Sequence, residues 1–223
     1  MQAGNLTLEE ARERARLISD PRYRVTLDLT TSEETFRCET EVTFGCAEPG
    51  ASTFLEYTAP AVASLELNGA PLSPEAFDGS RVHLSGLSAN NHLRVVGESA
   101  YEHSGVGMHR FTDPADGRVY CYTDAEPYDI HRVYPCFDQP DLKGIFDFEV
   151  KAPAGWEVVS NGAPLSRPDA ADGGREKWRF AATHPIPTYI TAVVAGPYHA
   201  VRDRHRDIEL GIYCRQSLAR YLD

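Results

Sequence analysis

The chain has 223 residues, 42% hydrophobic and 25% charged, which fits one large β domain or two small domains with a proper core. Its formal net charge of −11 excludes a general affinity for nucleic acid or for an anionic membrane surface. No apolar run reaches membrane-spanning length, and Met1–Asp20 is polar and Arg/Glu-rich, unlike a secretory signal, so the cytoplasm is the expected location.

Thr7 and Glu10 have the spacing of a capping box, in which each side chain satisfies a free backbone N–H of the other. Leu8, Ala11, Ala15 and Ile18 then recur at helical spacing, predicting one short amphipathic helix over Leu8–Ser19, stopped before Pro21. After that the period changes to two. Tyr23, Val25, Leu27 and Leu29 alternate with polar residues, as do Phe36, Cys38, Thr40, Val42 and Phe44, predicting two antiparallel strands joined over Thr31–Glu34.

Further strands are expected at Thr53–Tyr57, Val62–Leu67, Val82–Leu84, Leu93–Val96, Val119–Thr123, Phe146–Val150, Trp156–Ser160, Lys177–Ala181, Tyr189–Val194 and Ile208–Cys214. Asn68-Gly69 is a hairpin turn, since both residues accept positive φ. Gly105 and Gly107 bracket a sharp backbone bend, and Pro168–Gly174 reads as a polar turn-rich loop. The run Arg202-Asp203-Arg204-His205-Arg206 reads as an exposed turn, too short and too neutralised for a nucleic-acid patch. The sum is an all-β fold: a large, twisted, antiparallel multi-sheet or sandwich-like domain behind one short N-terminal helix.

The five cysteines are scattered without a C-x-x-C pair, so reduced, mostly buried thiols are expected rather than a disulfide frame or zinc knuckle. Cys136, between Pro135 and Phe137, reads as packing and not as a nucleophile.

The densest run of committed residues is Tyr120–Phe146, YCYTDAEPYDIHRVYPCFDQPDLKGIF. Tyr120 and Tyr122 share a strand face, which reads as core before cleft. Glu126 precedes Pro127 between two apolar strands, which places its carboxylate at a Pro-fixed corner able to receive a cation; the plain alternative is a solvated surface charge. The Glu126–Pro127 bond is the X-Pro bond expected to be cis. Arg132 and Asp138 are expected to form a buried pair that fixes the following loop.

This stretch resembles the N-terminal domain of the aminopeptidase N family of zinc peptidases, to which the leukotriene hydrolases also belong. Thr123-Asp124-Ala125-Glu126, His131-Arg132 and Pro135-Cys136-Phe137-Asp138-Gln139-Pro140 match its Thr-Gln-x-Glu strand end, Arg-Arg pair and Pro-Cys-Phe-Asp-x-Pro loop. Gly105–Phe111, Trp156–Gly162, Thr188–Ile190 and Val194–Tyr198 extend the likeness over roughly Leu27–Tyr221. His131 replaces the first Arg of the pair, and Asp124 stands where Gln is common, which leaves the roles of both positions open. The Arg-rich, Lys-poor composition fits a GC-rich genome, and the likeness points to a bacterial member.

The resemblance implies a zinc-dependent aminopeptidase that removes N-terminal amino acids from peptides. It implies that this domain helps close the active-site cleft, that Glu126 binds the substrate α-amino group with Asp124 as a second candidate, and that Pro127, Arg132 and Asp138 are structural neighbours. No catalytic or metal-ligating residue is expected here: none of the eight histidines precedes a glutamate, so the His-Glu-x-x-His zinc motif is absent, as is Gly-x-Met-Glu-Asn. Zinc is expected in the full-length enzyme and none on this chain. Residues 1–200 read as the β domain, with its leading helix at 8–19, and 201–223 as the start of a truncated catalytic domain, because Ser217–Asp223 begins a helical segment it does not complete. The partners implied are the N-terminus of a peptide substrate and the chain's own catalytic domain. The competing reading is a non-catalytic binding or scaffold module of the same fold. A leukotriene hydrolase-like dual enzyme is disfavoured by Glu126, since that branch resembles Gln there, and a sugar-binding sandwich lacks clustered exposed Trp.

Overall fold

A computed structural model describes residues 5–166, 169–171 and 173–222. One helix, α1 (Leu8–Leu17), leads into β1 (Ile18–Asp28), β2 (Thr35–Cys46), β3 (Thr53–Glu56), β4 (Ala61–Leu67), β5 (Ala70–Pro71), β6 (Arg81–Leu84), β7 (Asn90–Ala100), β8 (Gly107–Thr112) and β9 (Val119–Asp124). After the Pro-rich loop come β10 (Ile145–Pro153), β11 (Glu157–Ser160), β12 (Asp169–Ala171), β13 (Arg175–Arg179), β14 (Val193–Gly196), β15 (His199–His205) and β16 (Ile208–Cys214). Short 3-10 turns occupy Ile130–Arg132, Thr188–Ile190 and Gln216–Tyr221. The all-β, multi-sheet fold class is borne out.

Among the described residues the largest sheet has eight strands in the order β12-β13-β10-β1-β2-β7-β4-β5, and a second has four, β11-β14-β9-β8; β15-β16 and β3-β6 are separate pairs. Strict alternation makes this possible. β2 buries Phe36, Cys38, Thr40, Val42, Phe44 and Cys46 and turns the residues between them outward. Asn68 (φ 54°) and Gly69 (φ 80°) form the expected hairpin between β4 and β5. Gly105 (φ 85°) and Gly107 (φ 60°) make the expected bend, although Gly107 also opens a strand. One pairing departs from the antiparallel rule: β1 runs parallel to β10, from Arg22 opposite Ile145 to Asp28 opposite Lys151. That pair aligns Tyr23, Val25 and Leu27 with Phe146, Phe148 and Val150 in the core, with the Tyr23 and Phe146 rings stacked 4.6 Å apart. Each such buried side chain contributes about 1.5–3 kcal/mol.

Several expected boundaries move. The helix ends at Leu17, not Ser19, because Ile18 is already extended and pairs with Cys46. The capping box is present, with Thr7 N–H donating to Glu10 Oε2 at 2.9 Å and Glu10 N–H to Thr7 Oγ1 at 3.2 Å. The buried face of the helix is not the Leu8, Ala11, Ala15, Ile18 stripe: Leu8 and Ala15 are exposed, and Arg14 and Leu17 are buried. Tyr189–Val194 is not one strand; Thr188–Ile190 coil into a 3-10 turn and β14 starts at Val193. Arg202–His205 lie in β15 and not in a turn, since they pair with Ile208–Gly211; the reversal falls at Arg206-Asp207. Of the loop expected over Pro168–Gly174, Asp169–Ala171 pair with β13, while Pro168 and Asp172 lie outside the described residues.

Ser160-Asn161-Gly162 fixes the loop that enters β14. The Asn161 amide donates to the Ile190 carbonyl at 2.9 Å and accepts from the Ala192 N–H at 2.7 Å, and Ser160 Oγ donates to the Ala192 carbonyl at 2.8 Å. A Cβ at Gly162 would stand 1.9 Å from the Ala181 carbonyl oxygen, so the close approach requires glycine.

Candidate functional site

The site is built where β9 leaves its sheet. Alternation sends Tyr120, Tyr122 and Asp124 to one side of β9, with Glu126 in the turn just past its end, but burial differs along the strand. At one end Tyr120 is buried under Tyr198, with ring centroids 4.9 Å apart, and its hydroxyl accepts from the Gln216 N–H at 3.0 Å. Tyr122 is past that cover, 38% exposed beside His109, and Asp124 and Glu126 are exposed. The tyrosine pair is therefore split between core and surface. Ala125, between the two acids, is buried.

The Glu126–Pro127 bond is cis, as expected. Beyond it the chain closes a tight turn, Asp129 N–H donating to the Ala125 carbonyl at 3.0 Å, and then the 3-10 turn Ile130–Arg132. Among the described residues neither the Asp124 nor the Glu126 carboxylate has a hydrogen-bond or ion-pair partner. Two carboxylates without a partner among the described residues thus stand on one corner.

The groups around that corner are all tied down. The Arg132–Asp138 pair expected from sequence does not form. Arg132 bonds instead to Asp129 at 2.8 Å and Glu102 at 3.3 Å, fastening the turn to the approach of β8. Asp138, fully buried, accepts from His131 Nδ1 at 2.8 Å, from the His131 backbone N–H at 3.3 Å and from Thr188 Oγ1 at 2.8 Å. A short planar ring fits this buried slot, and the longer Arg132 side chain points to the rim. Thr191 Oγ1 then donates to the Thr188 carbonyl at 2.7 Å and meets the Tyr134 hydroxyl at 2.7 Å.

Behind the loop lies a buried ion pair. Arg14 Nη1 contacts Glu56 Oε2 at 2.7 Å and Arg14 Nε donates to Gln139 Oε1 at 2.9 Å, while Glu56 Oε2 also accepts from the Asp138 N–H at 3.0 Å. Gln139 Nε2 returns to the Ala11 carbonyl at 2.9 Å. Sequence reasoning missed this clamp, since an arginine among charged helix residues carries no periodic signal of burial. Cys136 sits within it, and burial pushes its thiol well above the ordinary range, in keeping with a packing role.

The far end of the β8–β9 pair is fastened as well. Asp113 Oδ2 accepts from Ser217 Oγ at 2.6 Å and lies 3.3 Å from Arg215 Nη1, whose guanidinium covers the Phe111 ring at 5.2 Å. The Ser217 hydroxyl, with the Ala115 N–H and Arg215, holds the Asp113 carboxyl below its ordinary range. Because this native pKa is depressed, its stabilisation is complete above the unfolded value and is lost as pH falls through the lower native one. Asp113→Asn is expected to lower the protection factor of the Gln216 amide near neutral pH, as acid does in the parent once the slower intrinsic exchange is allowed for; an unchanged protection factor at Gln216 would remove the clasp.

The described residues of this chain do not fit a zinc site. No histidine precedes a glutamate, and among the described residues no three His, Cys, Asp or Glu side chains are grouped to hold a metal ion. Nor, among the described residues, is any helix long and apolar enough to cross a membrane.

The corner, its Pro-rich loop and the strands that carry them fall inside the match to the peptidase M1 N-terminal domain, which covers residues 19–190. The chain belongs to the M1 peptidase family. Aminopeptidase N of Streptomyces lividans is 45% identical over 231 aligned positions, covering 100% of this M1 chain and 26% of that protein. Human aminopeptidase Q is 30% identical over 116 positions, covering 51% of this chain and 12% of the relative. A probable aminopeptidase 1 of Sulfurisphaera tokodaii is 30% identical over 96 positions, covering 43% and 12%. The M1 chain thus spans about a quarter of the length of the Streptomyces protein.

Proposed function

We propose that this M1 domain is the N-terminal part of a zinc-dependent aminopeptidase that removes N-terminal amino acids from peptides. It helps close the active-site cleft and presents Glu126 to the substrate α-ammonium, with Asp124 as the second carboxylate and Pro127, Arg132 and Asp138 as the frame. The observation that carries this reading is the exposed, unpartnered Glu126 carboxylate on a corner held by buried hydrogen bonds. An exopeptidase has to recognise a terminal ammonium, and a preplaced carboxylate in a partly desolvated cleft gains more from that pair than one in bulk water. The aminopeptidase names of the relatives support the activity.

Zinc and its ligands belong, on this reading, to a catalytic domain reached from residue 201 onward, with residues 1–200 as the β domain. The β15–β16 hairpin offers that domain an exposed, partly apolar face, on which Val201, Ile208, Leu210 and Ile212 stand beside Asp203 and His205. The five cysteines are free and four are buried, which supports a reducing, cytoplasmic setting.

The test is turnover by the purified full-length protein. Hydrolysis of an unblocked aminoacyl arylamide, but not of its N-acetyl counterpart, is expected, lost with a chelator and restored by zinc. Zinc-loaded protein that cleaves neither substrate would overturn the peptidase reading and leave a non-catalytic binding module.

A further inference from the structure

The Glu126 carboxylate has no hydrogen bond or ion pair among the described residues to hold its aim, so its direction depends on the backbone turn beneath it. That turn is Ala125–Asp129, closed by one backbone hydrogen bond, and its only large side chain is Tyr128. The Tyr128 ring packs against the ring of His131 at 4.8 Å between centroids. His131 in turn is only 5% exposed and is held by the buried Asp138 carboxylate through both its Nδ1 and its backbone N–H. Asp138 is itself held on its other oxygen by Thr188 and through its N–H by Glu56. The ring at position 131 therefore stands between the buried framework and the turn that carries the acid.

Resting on the reading of Glu126 as an ammonium anchor, we propose that His131 is a positioning residue for it. Asp138 fixes the imidazole plane, the imidazole fixes Tyr128, and Tyr128 sets the turn from which Glu126 projects. Asp138 has three acceptor contacts in this arrangement, and only the one from His131 Nδ1 comes from a side chain on the corner itself. Removing that donor frees the ring while leaving the strands intact. A displacement of about 1 Å at the anchor is enough to lose as much as a hundredfold in productive binding.

The experiment uses the full-length protein and two inhibitors that differ by one group: leucine hydroxamate and its analogue lacking the α-amino group. The ratio of their inhibition constants reads the amine contact alone. His131→Phe keeps a ring against Tyr128 but removes the donor to Asp138, and His131→Asn restores a donor near the Nδ1 position. The ratio is expected to fall about tenfold in His131→Phe, to recover in part in His131→Asn, and to leave the amine-free inhibitor within about twofold of the parent. Tyr128→Leu, at a half-buried position, is expected to show the same selective loss and serves if the His131 variants fold poorly. A ratio unchanged in His131→Phe and Tyr128→Leu but collapsed in Glu126→Gln overturns the positioning role while the anchor stands. A ratio unchanged in Glu126→Gln removes the anchor and this inference with it.

Discussion

Glu126→Gln in the full-length protein is expected to lower kcat/KM for peptides with a free α-amino group by about 10- to 100-fold, the value of a hydrogen bond to a charged group, about 1.5–3 kcal/mol. The loss should fall mainly on KM, since the carboxylate binds the ammonium in substrate and transition state alike. Stability should hardly change. The side chain is exposed and has no partner among the described residues to lose, and surface changes of that kind stay within about 0.5 kcal/mol. Kinetics and a denaturation curve on the same preparation decide the matter: equal kcat/KM in variant and parent would place Glu126 outside the site. Asp124→Asn, measured alongside, resolves the second acid. A fall comparable to that of Glu126→Gln assigns Asp124 to the ammonium, and an unchanged value leaves it a surface charge.

The largest effect on stability is expected at Arg14. Arg14→Met strands the Glu56 carboxylate, only 2% exposed, without its cation, and breaking a buried pair from one side costs about 3–5 kcal/mol. The urea midpoint of Arg14→Met should fall accordingly, and the double variant Arg14→Met, Glu56→Leu should recover most of the loss. Recovery is expected because the native pair is imperfect: Arg14 Nη2 is buried without a hydrogen-bond partner. A double variant no more stable than Arg14→Met would show that Glu56 matters chiefly as acceptor for the Asp138 N–H and not as a counter-ion.

What could be read from the chain alone follows from the range of each interaction. Period-two alternation revealed β1 and β2, turn chemistry revealed Asn68-Gly69, and the dense motif around Glu126 revealed the corner together with its cis bond. The parallel pairing of β1 with β10 joins segments more than a hundred residues apart and leaves no local trace. The Arg14–Glu56 pair was hidden for the same reason, because burial of a charge depends on a partner strand and not on its neighbours in sequence. At His131 and Arg132 the sequence offered two side-chain donors for one buried acid, and only packing decides that the shorter one takes it. Strand β15 was obscured by its charge: its outward residues look like a solvated turn until β16 is laid beside it.

The pinned ends of β8 and β9 have a mechanical consequence. Six residues of paired strand make a splint of about 20 Å, with the Asp113 clasp on Arg215 and Ser217 at one tip and Gly107 opposite Asp124 at the other. A two-stranded splint built into a sheet bends little, so a shift of the segment at 215–217 moves the carboxylate corner as one lever. If Glu126 is the ammonium anchor proposed above, an opening that parts the corner from a bound peptide is expected to hinge outside residues 107–124, with the seating of the 215–217 segment setting the position of the acid.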